Sequence, residues 1–192
     1  MILTFAASAL ILGRLLGGNV RRLGDLDFRR LPWMLASFIL RDGAEELFKS
    51  KPPELLSSML LAFACYALFF YGLYPNLRFP GMWAVALGSA LNFVVIVLNQ
   101  ARMPVSVTPL SPAEQVREIA RLSTSINHQL LAPVARLPFL SDLFKWTFLQ
   151  PKPAMFSVGD ILITTGVSWL MLRVSLRGFP LSGNDGRIGS VT

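Results

Sequence analysis

The chain has 192 residues, 53% of them hydrophobic and only 15% charged, with a formal net charge of +7. This composition is too apolar and too poor in charge for an ordinary water-soluble domain, so we predict a membrane protein. The basic residues lie mostly in short segments between apolar runs, which favours anionic lipid headgroups over nucleic acid as their partners. The single cysteine and single histidine rule out an internal disulfide and argue against a multi-histidine metal site. We expect no metal and no cofactor.

Positively charged residues lie near the end of the first apolar run, residues 1–16, and in the loop that follows it. They are Arg14, Arg21, Arg22, Arg29 and Arg30. The positive-inside rule places the loop in the cytoplasm and the N-terminus outside.

The second apolar segment, residues 31–40, continues into Arg41, Asp42, Glu45 and Glu46. Ten apolar residues cover only ~15 Å of helix, about half of the hydrocarbon core. Either the helix continues to Phe48, with its charges in the outer headgroups or the bundle interior, or the segment is re-entrant. We favour the crossing. The choice matters, because without this crossing the orientation of every later segment inverts.

Residues 55–74 form the clearest predicted span, without a single charge, and residues 82–98 form the next. Asn92 lies in the middle of that fourth span and Asn99 follows its end, so both lie on nearly the same helix face. A polar side chain within a span either bonds to a neighbouring helix or marks a binding site. We expect an interhelical hydrogen bond from Asn92 and keep both asparagines as binding candidates.

Residues 100–153 form an amphipathic connection that is too long for a plain loop. The run Ser111-Pro112-Ala113-Glu114 is typical of a capping box with proline at the first helical position. It predicts a short helix lying on the membrane surface. Residues 126–131 and 137–148 predict two further short amphipathic helices.

Residues 155–174 form the last predicted span, and residues 178–192 a disordered tail. The predicted fold is therefore all-α: a polytopic membrane helix bundle with five transmembrane helices, four being possible, plus short interfacial amphipathic helices. Residues 1–177 would form a single transmembrane domain. The connection would lie outside and the C-terminus in the cytoplasm.

Two carboxylates flank the start of the last span, Asp142 just outside it and Asp160 inside it. A charged side chain at membrane depth is a candidate for a functional site. Two carboxylates that share one site cannot both ionise easily, so the pair would supply a catalytic acid and base for amide hydrolysis. Their carboxyl oxygens would then approach within roughly 6 Å. Alternatively, Asp160 interacts with the helix N-terminus and Asp142 starts a surface helix.

Arg102 and His128 complete the predicted substrate- or lipid-binding set with Asn92 and Asn99. Arg102 follows the fourth span by one turn, where it could bind a lipid phosphate, pair with an aspartate or extend to the headgroups. His128 could shuttle protons, although a lone histidine at an interface is more often solvated.

The last third of the chain resembles the lipoprotein signal peptidases. Leu140-Ser141-Asp142-Leu143-Phe144 is similar to their Val-Val-Asp-Phe motif, and residues 155–161, MFSVGDI, are similar to Phe-Asn-Val-Ala-Asp at the head of the last helix. Residues 98–106, which contain Asn99, are loosely similar to their Asn-x-Gly-Ala-Ala-Phe-Ser segment. This resemblance implies a four-helix intramembrane aspartyl peptidase with Asp142 and Asp160 as the dyad near the outer surface.

Nearly the whole chain is similar to an uncharacterised family of small multi-pass bacterial membrane proteins. The similarity rests on four short motifs, at residues 18–23, 99–105, 140–144 and 157–160. It implies a protein of the bacterial inner membrane with no known activity.

Three functional hypotheses follow. The first is a non-enzymatic accessory component that binds lipid or a membrane-protein partner. The second is a membrane hydrolase that uses Asp142 and Asp160. The third, a carrier of a small solute, has the least basis, because we find no internal repeat and only one carboxylate within a span.

Overall fold

The computed structural model describes residues 2–50, 53–148 and 153–177. This part of the chain is mostly helical, with the helices α1 (Ile2–Leu15), α2 (Leu31–Leu47), α3 (Leu55–Leu73), α4 (Met82–Leu98), α5 (Pro112–Thr124) and α6 (Val158–Arg177). Its short strands are β1 (Met103–Val105), β2 (His128–Leu130), β3 (Phe144–Trp146) and β4 (Ala154–Phe156). The predicted tail at 178–192 lies outside the described residues.

The long helices pack side by side in an order that differs from their order in the chain. Helix α6 packs against both α1 and α4, while α3 packs against both α2 and α4. The row is therefore α1, α6, α4, α3, α2. The last helix of the chain thus lies inside the row, where residues from several segments can reach its N-terminal turn.

Helices α4 and α6 are joined by two pairs of glycines. Gly81 contacts Gly166 and Gly88 contacts Gly159, so closely that a Cβ on any of them would overlap the partner's backbone. On each helix the two glycines are seven residues apart, which is about two turns. The first glycine of α4 meets the second of α6, so the two helices run antiparallel. Such small residues let helix backbones approach closely.

The helix bundle has two ends, to which the helix termini point. The arginine-rich loop lies at one of these ends and the long connection lies at the other. Arg22 donates from Nη1 to the carbonyl of Leu176 at 2.9 Å, at the C-terminal end of α6. At the other end, Glu45 near the end of α2 accepts hydrogen bonds from the backbone of Ile126 and Asn127 at 3.2 and 3.1 Å. Helix α2 therefore extends from the loop to the connection.

The connection differs from its prediction after the first helix. The capping box of Ser111 and Glu114 and the helix that follows are confirmed. The two further amphipathic helices are wrong: β1 pairs with β2 in parallel, and β3 pairs with β4 antiparallel. Pro133 and Pro138 interrupt any helix there, because proline lacks the backbone donor and its ring clashes with the preceding turn. Helices this short are also unstable by themselves.

Two described helices, Leu55–Asn76 and Val158–Leu176, are long and apolar enough to cross a membrane. Thr4–Leu15 and Met82–Leu98 are apolar but shorter. The predicted five transmembrane helices are thus not supported by length and composition. Helix α4, with 17 residues, spans ~26 Å, somewhat less than the hydrocarbon core. Helix α2 carries charges over its last two turns.

Candidate functional site

Asp160 lies in the first turn of α6 and forms part of that helix's cap. The Ser157 backbone N–H donates to Asp160 Oδ2 at 3.0 Å, and the Asp160 N–H donates to Ser157 Oγ at 3.1 Å. This is a reciprocal capping arrangement, with a carboxylate at the positive end of the helix dipole. The helix begins at Val158 rather than Met155, because residues 154–156 pair as β4.

Asn92 fixes the same carboxylate from α4. Its Nδ2 donates to Asp160 Oδ1 at 3.0 Å, which confirms the predicted interhelical hydrogen bond. The Ser157 hydroxyl lies 2.9 Å from Asn92 Oδ1 and 3.0 Å from Asp160 Oδ2, so its one proton serves either acceptor. Gly159 packs directly against the Asn92 amide oxygen, which a side chain there would displace. Two helices therefore hold Asp160 in one orientation.

Asp142 is buried, with 6% of its surface exposed, so the prediction that it starts a surface helix is wrong. Its backbone bridges to the end of β1, donating to the Pro104 carbonyl and accepting from the Ser106 N–H. Its Oδ1 has no hydrogen-bond partner among the described residues. Burial and then the charge of Asp160 raise the pKa of Asp142 to about 8. At neutral pH its protonated form predominates.

Arg41 lines a cavity whose wall also contains Asn92 and Asp160. The cavity measures about 170 Å³ and lies between α2, α3, α4 and α6. Its lining is Ser37, Phe38, Arg41, Cys65, Tyr66, Phe69, Ser89, Asn92, Asp160 and Ile163. We call it the Arg41 cavity. Within the described ranges Arg41 belongs to no ion pair, so its walls carry one cation and one anion that are not in contact.

His128 begins β2 within the connection and is half-buried, which contradicts the solvated interfacial position expected for it. Its Nδ1 is buried and lacks a partner in the part of the chain that the structure describes. Burial, followed by the positive charges of Arg41 and Arg121, lowers the pKa of His128 to about 3. The imidazole is therefore neutral at physiological pH and is poorly matched to carrying a proton there.

Asn99 and Arg102 have different surroundings. The Asn99 amide is buried and bonds to the backbone of Arg136 in both directions, at 2.9 Å each, and to the Val95 carbonyl at 2.8 Å. It holds the connection onto the end of α4. Arg102 is half-buried and makes no ion pair with any described residue. Their predicted roles in binding stay predictions.

Arg41, Ser157 and Tyr66 are the site residues that the sequence prediction omitted. Arg41 carried a usable signal, because it is the first charge after an apolar run and such charges mark functional candidates. Ser157 carried one as well: Ser157-x-x-Asp160 has the spacing of a capping box. Tyr66 carried none, since an aromatic residue in an apolar span is ordinary packing.

The chain belongs to a family of unknown function, DUF5317, whose description matches residues 25–172. The predicted membership of an uncharacterised family is thereby confirmed. No curated protein and no solved structure matches the chain. The resemblance to lipoprotein signal peptidases gains no support from these comparisons.

Proposed function

We propose that this chain is an integral membrane protein that binds a phosphate-bearing lipid headgroup in the Arg41 cavity. The membrane location rests on helix α3. Its most apolar window has a mean hydropathy of 1.8, yet only 17% of that window is buried. Leu56 and Leu60 are 68% and 62% exposed. A helix this apolar and this uncovered is suited to a lipid environment and would be a liability in water.

We propose further that α1, α2, α3, α4 and α6 all cross a bacterial inner membrane. Support comes from α2. This helix begins at the arginine-rich loop and ends at the connection, at the opposite end of the bundle. By the positive-inside rule the loop faces the cytoplasm, and the N-terminus and the connection lie outside. The C-terminus follows α6 into the cytoplasm.

Reporter fusions test this topology. A reporter placed after His128 should be active outside the membrane, while one at the C-terminus and a control after Gly24 should be cytoplasmic. The measurement is the activity of a phosphatase that works only outside and of a fluorescent protein that folds only inside. A cytoplasmic signal after His128 would mean that α2 does not cross.

The headgroup proposal rests on Arg41 and Asp160, which both line the cavity and form no ion pair among the described residues. A guanidinium offers several donors in a planar fork that suits phosphate. Asp142 is mostly protonated at neutral pH and leaves the charge of Arg41 available. Asp160, on another wall of the same cavity, would repel a purely anionic group and attract an ammonium. The cavity therefore suits a headgroup that carries both phosphate and amine, such as ethanolamine phosphate.

Arg41→Gln should reduce retention of ethanolamine phospholipid by about tenfold or more, since a hydrogen bond to a charged group contributes about 1.5–3 kcal/mol. Arg41→Lys should restore only part of it, because lysine lacks the planar fork. The protein is reconstituted in vesicles that contain phosphatidylethanolamine and phosphatidylglycerol in equal amounts and is then purified again. The lipid that it retains is measured by mass spectrometry.

Arg102→Gln is the matched control, since Arg102 follows the end of α4, the same helix that places Asn92 in the cavity wall. It should leave retention nearly unchanged. Loss of lipid in Arg102→Gln but not in Arg41→Gln would move the phosphate site to Arg102. If both variants retain as much lipid as the unchanged protein, the headgroup proposal is rejected.

A membrane hydrolase is the second candidate, and the raised pKa of Asp142 favours it. When their environments move the pKa values of two nearby carboxyl groups apart, one group can act as the acid and the other as the base. Here Asp160 would accept a proton from water, whose oxygen adds to an amide carbonyl carbon, and Asp142 would donate its proton to the leaving nitrogen. Against this, Asp160 is tied into the helix cap.

Asp142→Asn and Asp160→Asn should each abolish cleavage of a membrane-inserted peptide amide, while expression stays nearly intact. Glu118→Gln, in the surface helix α5, serves as the control carboxyl and should cleave normally. The assay is product release from the peptide in detergent micelles. Cleavage that survives either aspartate substitution would remove the pair as the catalytic dyad.

A further inference from the structure

A second, larger cavity lies on the opposite side of α6, between that helix and α1. It measures about 540 Å³ and its walls are mainly apolar, with Leu12 on α1, Ile161 and Leu172 on α6, and Phe156 on β4. We call it the α1–α6 groove. It follows α6 from Ile161 to Leu172, a distance of ~16 Å along the helix. Its length and its mainly apolar walls suit a hydrocarbon chain.

Three polar groups on the walls of this groove lack partners. They are Trp146 Nε1, Thr164 Oγ1 and Ser168 Oγ, all buried and without a hydrogen bond among the described residues. Thr164 is itself only 5% exposed. Thr164 and Ser168 are one turn apart on the same face of α6. The indole N–H is a donor only, so it needs an acceptor that the described residues do not supply.

We propose that the α1–α6 groove binds one acyl chain of a membrane glycerolipid and that the ester carbonyl accepts hydrogen bonds from Trp146 and Thr164. Buried polar groups are nearly always paired, so three such groups in an apolar groove indicate that an occupant supplies the missing atoms. The ester carbonyl is the acceptor that joins directly to an acyl chain. A partner's transmembrane helix fits less well, because its backbone carbonyls are already bonded within that helix.

This inference rests on the proposed membrane location, but it does not depend on the Arg41 cavity. The two cavities share no lining residue, and their walls use different faces of α6, with Ile163 on one and Ile161 on the other. Extraction of the protein by alkaline carbonate would contradict the membrane location itself. The lipid experiment below concerns only the groove.

The test compares ester-linked and ether-linked phosphatidylcholines of equal chain length, offered as an equimolar mixture to the full chain in nanodiscs. Because an ether lacks the carbonyl, the protein should retain the diester lipid in about fivefold excess, the ratio that one net hydrogen bond gives. Trp146→Phe keeps an aromatic ring for the contact with Phe5, at 5.0 Å between centroids, but lacks the N–H. It should lower the ratio, as should Thr164→Val, and the two substitutions together should bring the ratio close to one.

Trp83→Phe is the control, since Trp83 lies on α4, is not part of the groove and is 71% exposed. It should keep the fivefold ratio. If Trp146→Phe fails to fold, the ratio of ester to ether lipid retained by Thr164→Val and by Ser168→Ala tests the proposal instead. Equal retention of both lipids by the unchanged protein, a preference that survives Trp146→Phe combined with Thr164→Val, or a dimer that retains no lipid would overturn the proposal.

Discussion

Gly159→Ala is expected to destabilise the folded protein by at least about 3 kcal/mol, at the upper end for an overpacked interior position. The added Cβ would overlap the Asn92 amide oxygen and would lie 2.7 Å from the Gly88 carbonyl oxygen. Neither neighbour can easily retreat: one belongs to a helix backbone, and the other is held by Asp160 and Ser157. The midpoint of thermal unfolding in mild detergent should fall by about 6 to 12 °C.

Gly43→Ala is the control for this prediction. Gly43 lies inside α2, and a Cβ there meets no atom within 4 Å. Alanine is the better helix former, so this variant should match or slightly exceed the unchanged protein in stability. If Gly159→Ala unfolds at the same temperature as Gly43→Ala, the close contact of α4 and α6 at Gly88 and Gly159 is wrong.

The glycine contact also links the fold to the candidate site. Asn92 reaches the Asp160 carboxylate only because Gly159 lets α4 and α6 approach. A substitution that separates the helices should therefore loosen Asp160 and alter the wall of the Arg41 cavity. Position 159 is thus coupled to the proposed headgroup site, although Gly159 does not line the Arg41 cavity.

Local signals predicted the helices α3, α4 and α5 correctly. Residues 55–74 and 82–98 form α3 and α4 nearly as expected, because uninterrupted apolar runs leave a helix as the way to satisfy the backbone in an apolar setting. The capping box at Ser111 predicted the start of α5 to the residue. The bond from Asn92 to α6 was likewise predictable, since a lone amide in an apolar helix needs a partner.

The connection could not be predicted in the same way, because its structure depends on contacts between distant segments. Val105 bridges to Asp142, and Asn99 bonds to Arg136, each across more than thirty residues. No local pattern reports such pairings. The burial of Asp142 and the half-buried position of His128 follow from these pairings, so neither environment could be predicted from local sequence.

The glycine pairs carried a signal that was not used. Gly81 and Gly88 have the same spacing as Gly159 and Gly166, and small residues repeated on one helix face indicate close helix packing. The neighbour relation of α4 and α6 could have been proposed from that match. Which glycine meets which depends on the helix directions, which the sequence leaves open until the number of crossings is known.

Folding shifts the pKa values of Asp142 and His128 in opposite directions. These two side chains should control how the free energy of unfolding depends on pH. The pKa of Asp142 rises from 3.8 to about 8 on folding, so its contribution is present below pH 3.8 and is lost as pH rises through 8. The pKa of His128 falls from 6.5 to about 3, so its contribution is present above pH 6.5 and is lost as pH falls through 3. Between pH 3.8 and 6.5 the two slopes cancel.

The free energy of unfolding of the unchanged protein should therefore be nearly flat from about pH 4 to 6.5 and should fall by about 2 kcal/mol between pH 6.5 and 8. Glu114 titrates outside this range, because its hydrogen bonds from Lys145 and Ser111 lower its pKa to about 2. The measurement is reversible unfolding in detergent at a series of pH values.

Single substitutions separate the two contributions. Asp142→Asn should remove the fall above pH 6.5 and reveal the His128 slope, so that this variant loses stability on acidification below pH 6.5. His128→Gln should reveal the opposite slope, a continuous fall from about pH 4 to 8 that totals roughly 6 kcal/mol. The double variant should be flat across the whole range. A fall above pH 6.5 that persists in Asp142→Asn would mean that Asp142 does not hold its proton in the folded protein, and the acid role proposed for it would fail with it.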